Sequence, residues 1–595
     1  MAVTVSSRWR LVAIAVIGVL AAAHLAFYFT RTVDDMFIFL RYAENLASGH
    51  GPVFNAGERV EGFSSVTWLV LLVPGALAGV NLVTWSKLLA IASFVALLWG
   101  QIAFARERLG IGEDAPEGSW RRLVPYAAPL VTTCCSYVVA WTMFGLETPL
   151  YLALLVWSAV TLGRFVDAPS RRNLVAAGAV GAAFGLSRPE APMMLAAITA
   201  GSIIGPGVGP DLVTRIRRLA VGVAPAAGAY LVYLVFRRLY FGLWFPHTYY
   251  AKKGEGWHTL GLRALVTDGA SPFEIAIVVG GVLLAAYLVW RRRDGVILAV
   301  MGATAIFVAK VEADWMPSVR YWLPLWILVP LAWAWLIDRG PSRTDPSLSA
   351  AKQGRGSPRG EGPPRGGHRW IAPLAGVVLA GTMVQQAQID VRYSRFGKGV
   401  WGRKTWILPK TSETLRDGWL TLTGQPTPEV AKLKPYDHGM VTQVYRVIES
   451  DPRPLEDSWY VGPDIGFIGY VVPVNIWEPP GLFTPDVKTH GRVVTPALVE
   501  AAFGSRPVVM SELYDGAWTE GIKKHPTVSK IVEPAPDWYW VRQRGAPRPS
   551  RDQIRARYRD ALAKLPSSYY VTTQYGKPLH AALEHRVRTV ERSVP

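Results

Sequence analysis

Apolar residues in this chain gather into long blocks separated by short polar segments, and those blocks set the reading. Blocks long enough to cross about 30 Å of hydrocarbon at roughly 1.5 Å per residue fall near residues 9–29, 84–105, 123–141, 149–166, 173–187, 191–205, 219–236, 272–290, 295–310, 321–337 and 370–387. A further run, 65–82, carries Pro74 and Gly75 in its middle and fixes the parity of everything after it. Treated as a juxtamembrane or re-entrant helix, it puts four arginine clusters on one side: Arg106/Arg108/Arg121/Arg122, Arg164/Arg171/Arg172, Arg215/Arg217/Arg218 and Arg291/Arg292/Arg293. The positive-inside rule makes that side cytoplasmic. The pattern therefore predicts about eleven spans with the amino terminus inside. The first is a signal anchor, because its apolar stretch exceeds the roughly 7–15 residues of a cleaved signal.

Residues 338–369 are rich in Gly, Pro, Ser and Arg and read as a disordered cytoplasmic linker. Residues 388–595 have a soluble composition, with strand-like alternation around 458–473 and a charged helical pattern around 549–564. The expected organisation is a membrane-embedded module over 1–337, the linker, a last transmembrane helix over 370–387, and an extracytoplasmic α/β domain over 388–595.

Composition narrows the class. Half of the 595 residues are hydrophobic and only 18% are charged, and the net charge of +19 sits largely at the ends of apolar runs. That placement favours membrane topology over nucleic-acid binding. The two cysteines, Cys134 and Cys135, are adjacent inside an apolar block, which excludes a disulfide framework and a multi-cysteine metal site.

Ionisable residues collect in the segments that this topology turns outward. Asp34 and Asp35 lie just beyond the first span, where charged groups are a functional hypothesis by default. Helix capping accounts for one of the two. We assign Asp35 as general base and Asp34 as its orienter or N-cap. The turn MFGLETP carries Glu147, SRPE carries Arg188 and Glu190, and VEADWMPSVRY carries Glu312, Asp314, Trp315 and Arg320. Segment 237–271 holds Arg237, Arg238, His247, Tyr249, Tyr250, Lys252 and Lys253 on the outward side, against the charge rule. Phosphate binding is one explanation for these cations. An interfacial aromatic and cationic belt is the other. Walker, G-x-S-x-G and H-E-x-x-H patterns are absent. Carboxylates and cations at a bilayer edge suit sugar transfer from a polyprenyl phosphate, with a carboxylate taking the acceptor proton and cations stabilising the departing phosphate.

The string DDMFIFLRYAENLASGHGPVFNAGERVEGFSSVTW at 34–68 resembles the first-loop pattern of the GT-C glycosyltransferases, and within them the terminal arabinofuranosyltransferases of actinobacterial cell walls. PHTYYAK at 246–252, ADWMPSVRY at 313–321, GLETP and LSRPE also fit that pattern, as do GPDIGFIGY and PPGLFTPD in the carboxy-terminal part. Met36, Phe63, Ser64, His247 and Ala313 depart from it, and such positions bear on which sugar is accepted.

The resemblance implies a GT-C-like fold, a polyprenyl-phosphate sugar donor, a cell-envelope glycan acceptor, inversion at the anomeric carbon and an outward-facing site in the plasma membrane. On this reading Arg320, Lys252, Arg188 and His247 hold the donor phosphate. Arg41, Glu61, Glu147, Glu190, Tyr249, Asp314 and Trp315 contact substrate. No cofactor is obligatory, and a divalent cation on Asp34 and Asp35 stays open. A lipid-linked sugar flippase or polysaccharide exporter is the competing class. A membrane anchor displaying the outer domain is a third.

Overall fold

The computed structural model describes residues 7–29, 31–113, 115–205, 210–252, 272–311 and 320–339, and separate stretches between 376 and 571. The first part is helical: α1 Ser7–Tyr28, α2 Asp34–Ala47, α3 Val66–Leu77, α4 Leu82–Ala103, α5 Ala127–Cys134, α6 Ser136–Met143 and α7 Thr148–Asp167. It continues with α8 Arg171–Gly185, α9 Ala191–Gly201, α10 Leu212–Tyr240, α11 His247–Lys252, α12 Pro272–Trp290, α13 Val296–Lys310 and α14 Leu323–Arg339. This is a multi-pass, mostly helical membrane protein.

Ten of the eleven expected spans coincide with helices, but fewer are full crossings. Among the described residues, five stretches are long and apolar enough to cross a bilayer: Arg8–Ala26, Leu82–Arg108, Thr148–Asp167, Leu212–Tyr240 and Arg320–Asp338. The pair ending in α5 and α6, bent by 64°, makes a sixth. Its bend falls at Cys135, whose φ of −73° and ψ of 102° leave the helical region. Helices α9, α13 and the described part of α12 are apolar but shorter. Helix α8 has 15 residues and stops before Ser187-Arg188-Pro189, consistent with the bias against helix before proline. The linker and the last span lie outside the described residues, apart from Asp338 and Arg339 of the linker, which belong to α14, and isolated positions of the span.

Helix α3 does not cross. Its first amides, Val66 and Thr67, bond to the carbonyl of Leu186 beside the SRPE turn. Four residues beyond its end, Asn81 caps α4 and donates to the carbonyl of Lys564 in the carboxy-terminal part. The chain thus re-emerges at the end where it began. The four arginine clusters consequently meet at the opposite end of the bundle. There Arg108 pairs with Asp294, Arg121 with Asp338 and Arg164 with Glu107, and Arg218 donates to the carbonyl of Val166.

In the carboxy-terminal part the described residues include a five-stranded sheet of β1 Trp459–Val461, β2 Asn475–Trp477, β3 Val508–Glu512, β4 Val532–Pro534 and β5 Trp540–Gln543, in the order β2-β1-β3-β5-β4. Strand β1 runs parallel to β2 and β3, whereas β5 is antiparallel to β3 and β4. The alternation expected over 458–473 is a strand only at 459–461. Ile465–Val471 is a buried helix joining two parallel strands, and a short apolar run does not distinguish these cases by period. The charged pattern at 549–564 is the helix Arg551–Ala563, opened by a capping box of Ser550 and Gln553. Ile465, Phe467, Ile468 and Tyr470 share one continuous apolar core with the membrane helices. A smaller cluster around Trp477, Phe503 and Trp518 is separate from it.

Candidate active site

The first loop and α2 build the site by docking onto the carboxy-terminal part. Asp34 is buried, and both of its oxygens are used. The Gly466 N–H donates to Oδ2 at 2.8 Å, and the Phe467 N–H donates to Oδ1 at 2.7 Å. The carboxylate thus caps the helix Ile465–Val471, whose N-terminus favours an anion. The cap of α2 itself is Val33, with no side-chain bond, so Asp34 caps a helix other than its own. A Cβ on Gly466 would lie 2.1 Å from the Asp34 carbonyl oxygen, so the contact requires glycine. Asp35, next along α2, is partly exposed.

Arg41 differs from its expected role as a substrate ligand. Its Nε donates to the Phe54 carbonyl at 2.7 Å, and its Nη1 donates to the carbonyls of Gly469 and Val474. Burial pushes this guanidinium down to about 10, partly opposed by Glu44. Asn55 exchanges two hydrogen bonds with the Ile476 backbone, and Lys564 pairs with Glu44 at 2.8 Å. Much of the first-loop motif therefore holds the two parts of the chain together.

The start of α2 also rests on the turn that carries Glu147. The Val33 N–H donates to the Phe144 carbonyl at 3.4 Å, and Gly145 lies so close to Met36 that a Cβ there would overlap its sulfur. Glu147 is fully buried. One oxygen, Oε1, pairs with Arg188 and lies 3.5 Å from Arg320, while Oε2 has no hydrogen-bond partner among the described residues. Arg188 also bonds Glu190 through Nε. Burial opposes its charge, but Glu190 and Glu147 outweigh that, so its pKa rises above the ordinary arginine value. Arg320 lies 5.0 Å from the ring centroid of Trp141, within cation–π range. Arg188, Glu190, Arg320 and Tyr321 line a small cavity here. Arg188, expected on the donor phosphate, is neutralised within this cluster.

Glu61 belongs to a second network at the same end. Arg237 pairs with it at 2.6 Å, and the Tyr233 hydroxyl donates to Oε1 at 2.7 Å. Burial raises the Glu61 pKa against the opposing pull of Arg237 and Tyr233. This pair gives Arg237, a cation that breaks the charge rule, a protein partner in place of a phosphate. His247 donates its backbone N–H to the Glu61 carbonyl. Burial lowers its imidazole pKa, and its Nδ1 has no partner among the described residues. Tyr249 is exposed and packs with Phe245 and Tyr250, which favours the belt reading for these aromatics. Lys252 is described only in its backbone, and Asp314 and Trp315 lie outside the described residues. Among the described residues no group of three or more His, Cys, Asp or Glu is placed to hold a metal.

Sequence reasoning missed Lys87. It is fully buried in α4, and its Nζ donates to the carbonyl of Met143, four residues before Glu147. Neighbouring Ser86 lies 3.5 Å from the Met36 sulfur. The available signal was a lysine inside the apolar block 84–105, which is costly enough in a membrane to mark a functional candidate.

Two similarities bear on the class of this site. The chain is 30% identical over 347 residues to a terminal β-(1→2)-arabinofuranosyltransferase of Corynebacterium glutamicum, covering 50% of this chain and 47% of that protein. It is 34% identical over 230 residues to the protein of that description from Mycobacterium tuberculosis, covering 38% and 35%. The chain thus spans less than half the length of these curated relatives. Solved structures that overlay it include ArnT from Cupriavidus metallidurans in the apo state, at TM-score 0.47 and 13% identity over 90% of this chain and 97% of that one. The Archaeoglobus fulgidus oligosaccharyltransferase overlays at TM-score 0.46 and 12% identity, covering 87% and 72%. No family model matches.

Proposed function

We propose that this protein is a GT-C-type membrane glycosyltransferase that moves a sugar, arabinofuranose as first choice, from a polyprenyl-phosphate donor to a cell-envelope glycan acceptor at the outer face of the plasma membrane. The observation that carries the reading is the convergence at one end of the bundle: the start of α2, which carries Asp35, packs through Val33 and Met36 on the turn before Glu147, and Glu147 meets Arg188 and Arg320. Similarity to the two arabinofuranosyltransferases supports the class of reaction and the choice of sugar.

In this mechanism Asp35 takes the proton of the acceptor hydroxyl as it attacks the anomeric carbon, with inversion. Asp34 is held by the Gly466 and Phe467 amides and fixes the start of α2, hence the direction of its neighbour. Arg320 and Lys252 neutralise the polyprenyl phosphate as the glycosidic bond breaks. Arg188 is better suited to orient Glu147 than to meet the phosphate. The deciding experiment is transfer of radiolabelled arabinofuranose from polyprenyl-phosphate donors to a synthetic arabinan acceptor in membranes with and without the protein. Label in the acceptor that depends on the protein supports transfer. Movement of donor between leaflets without acceptor labelling would make it a flippase.

A further inference from the structure

The arginine end of the bundle contains a cavity of about 250 Å³ that the transfer reaction does not use. Arg108, Arg164, Arg215 and Arg293 line it, one residue from each of the four arginine clusters. Helix α7 leads from Glu147 to the cavity residue Asp167 in 20 residues, about 30 Å. The two sites are therefore at opposite membrane boundaries.

Two of the arginines are already balanced by carboxylates. Arg108 bonds Asp294 through Nε and Nη2, and Asp294 also caps α13 through the Val296 N–H. Arg164 forms a fork to Glu107, and the third lining carboxylate, Asp167, is exposed. Arg215 is different. It is 7% exposed, it makes a long 3.4 Å contact from Nη1 to the Ser202 carbonyl, and no carboxylate pairs with it among the described residues. The Ser202 Oγ in the same wall is buried without a hydrogen-bond partner among those residues. Gly205 makes room for the guanidinium, because a Cβ there would lie 2.1 Å from Arg215 Nη1.

A buried guanidinium and a buried hydroxyl facing one cavity call for an anion that accepts from both, and a phosphate has the oxygens to do so. The volume is below the roughly 300–1,000 Å³ of pockets that enclose a drug-sized molecule, so it suits a headgroup rather than a whole lipid. Basic pockets between helices at a membrane boundary are suited to anionic lipid headgroups. We infer that this cavity binds the phosphate of an anionic phospholipid, with Arg215 and Ser202 as its principal ligands. This site is independent of the sugar-transfer reading.

The test uses the full chain purified in detergent, with lipid retention read by native mass spectrometry. Phosphatidylglycerol should be retained in preference to phosphatidylcholine. Arg215→Gln should weaken retention about ten- to a hundredfold, the usual scale for losing charge-assisted bonds. Gly205→Ala keeps the charge but crowds the guanidinium and should also weaken retention. Arg172→Gln, an exposed cation at that end outside the cavity lining, should leave it unchanged. Equal retention of the two lipids, or wild-type retention in either cavity variant, overturns the inference. Full displacement of the lipid by millimolar inorganic phosphate would also overturn the lipid assignment, in favour of a soluble anion.

Discussion

The two ends of the helical bundle both hold arginine–carboxylate pairs, but among the described residues only the arginine end includes one in solvent. At the acidic end the side chains of Arg188, Glu147 and Glu190 are 6%, 0% and 5% exposed. At the arginine end Arg164 and Glu107 are 42% and 39% exposed. An exposed pair is screened by water and contributes at most about 1 kcal/mol. A buried pair that loses one partner leaves an uncompensated charge and costs about 3–5 kcal/mol. The acidic end is thus a rigid electrostatic unit in which no member is dispensable, while the arginine end mixes the buried pairs Arg108–Asp294 and Arg121–Asp338 with the solvated pair Arg164–Glu107.

The sharpest way to break this contrast is at Asp35. Asp35→Asn should lower transfer about 10²–10⁴-fold while leaving thermal stability unchanged, the scale of a lost general base. Near-normal turnover would move the base to another carboxylate of the acidic end. Next comes Arg188→Ala, expected to destabilise by about 3–5 kcal/mol because Glu190 loses its arginine and Glu147 keeps only the longer contact with Arg320. Arg164→Ala should cost about 1 kcal/mol or less. Equal losses in chemical denaturation would erase the distinction between the ends.

Gly466→Ala tests whether the two parts of the chain are latched at Asp34. The new Cβ must displace the Asp34 backbone, so protease sensitivity around residue 465 should rise and transfer should fall together. The smallest effect concerns acid. The Glu61 pKa is raised above 4.5, so the folded protein holds this proton more tightly than the unfolded chain. Its contribution is fully present below about pH 4.5 and is lost as pH rises through the raised value. Wild type should therefore gain melting temperature relative to Glu61→Gln as pH falls from neutral, and a constant difference would contradict the buried pair.

Much of this architecture was legible in the chain. The reading of 65–82 as a helix that does not cross rested on Pro74 and Gly75, yet Val66–Leu77 runs through both, and it is the short length of that helix, closed at Ala78, that returns the chain and gathers the arginines at one end. Local sequence was less informative where partners are distant. Nothing near Asp34 indicates that its acceptor atoms meet amides 432 and 433 positions away, although GPDIGFIGY was itself noticeable as a motif. Arg41 was expected at the substrate from the resemblance of the first-loop string, and only the fold shows its carbonyl partners. Lys87 was passed over because hydropathy averages over a block and hides a single charge. Several of the expected spans are short helices among the described residues: the SRPE turn and Gly201 leave α8 and α9 at 15 and 11 residues.

The latch at Asp34 also has a consequence for biosynthesis. The amides that fix it belong to residues 432 and 433 positions later in the chain. At about 5–20 residues per second, a ribosome needs roughly 20–90 s to reach them after making Asp34. Throughout that interval the first loop has entered the membrane environment without the backbone donors that hold its acidic pair. A nascent chain halted before residue 467 therefore carries every motif residue of the first loop but an unfinished site, so the order of synthesis itself delays assembly until the carboxy-terminal part arrives.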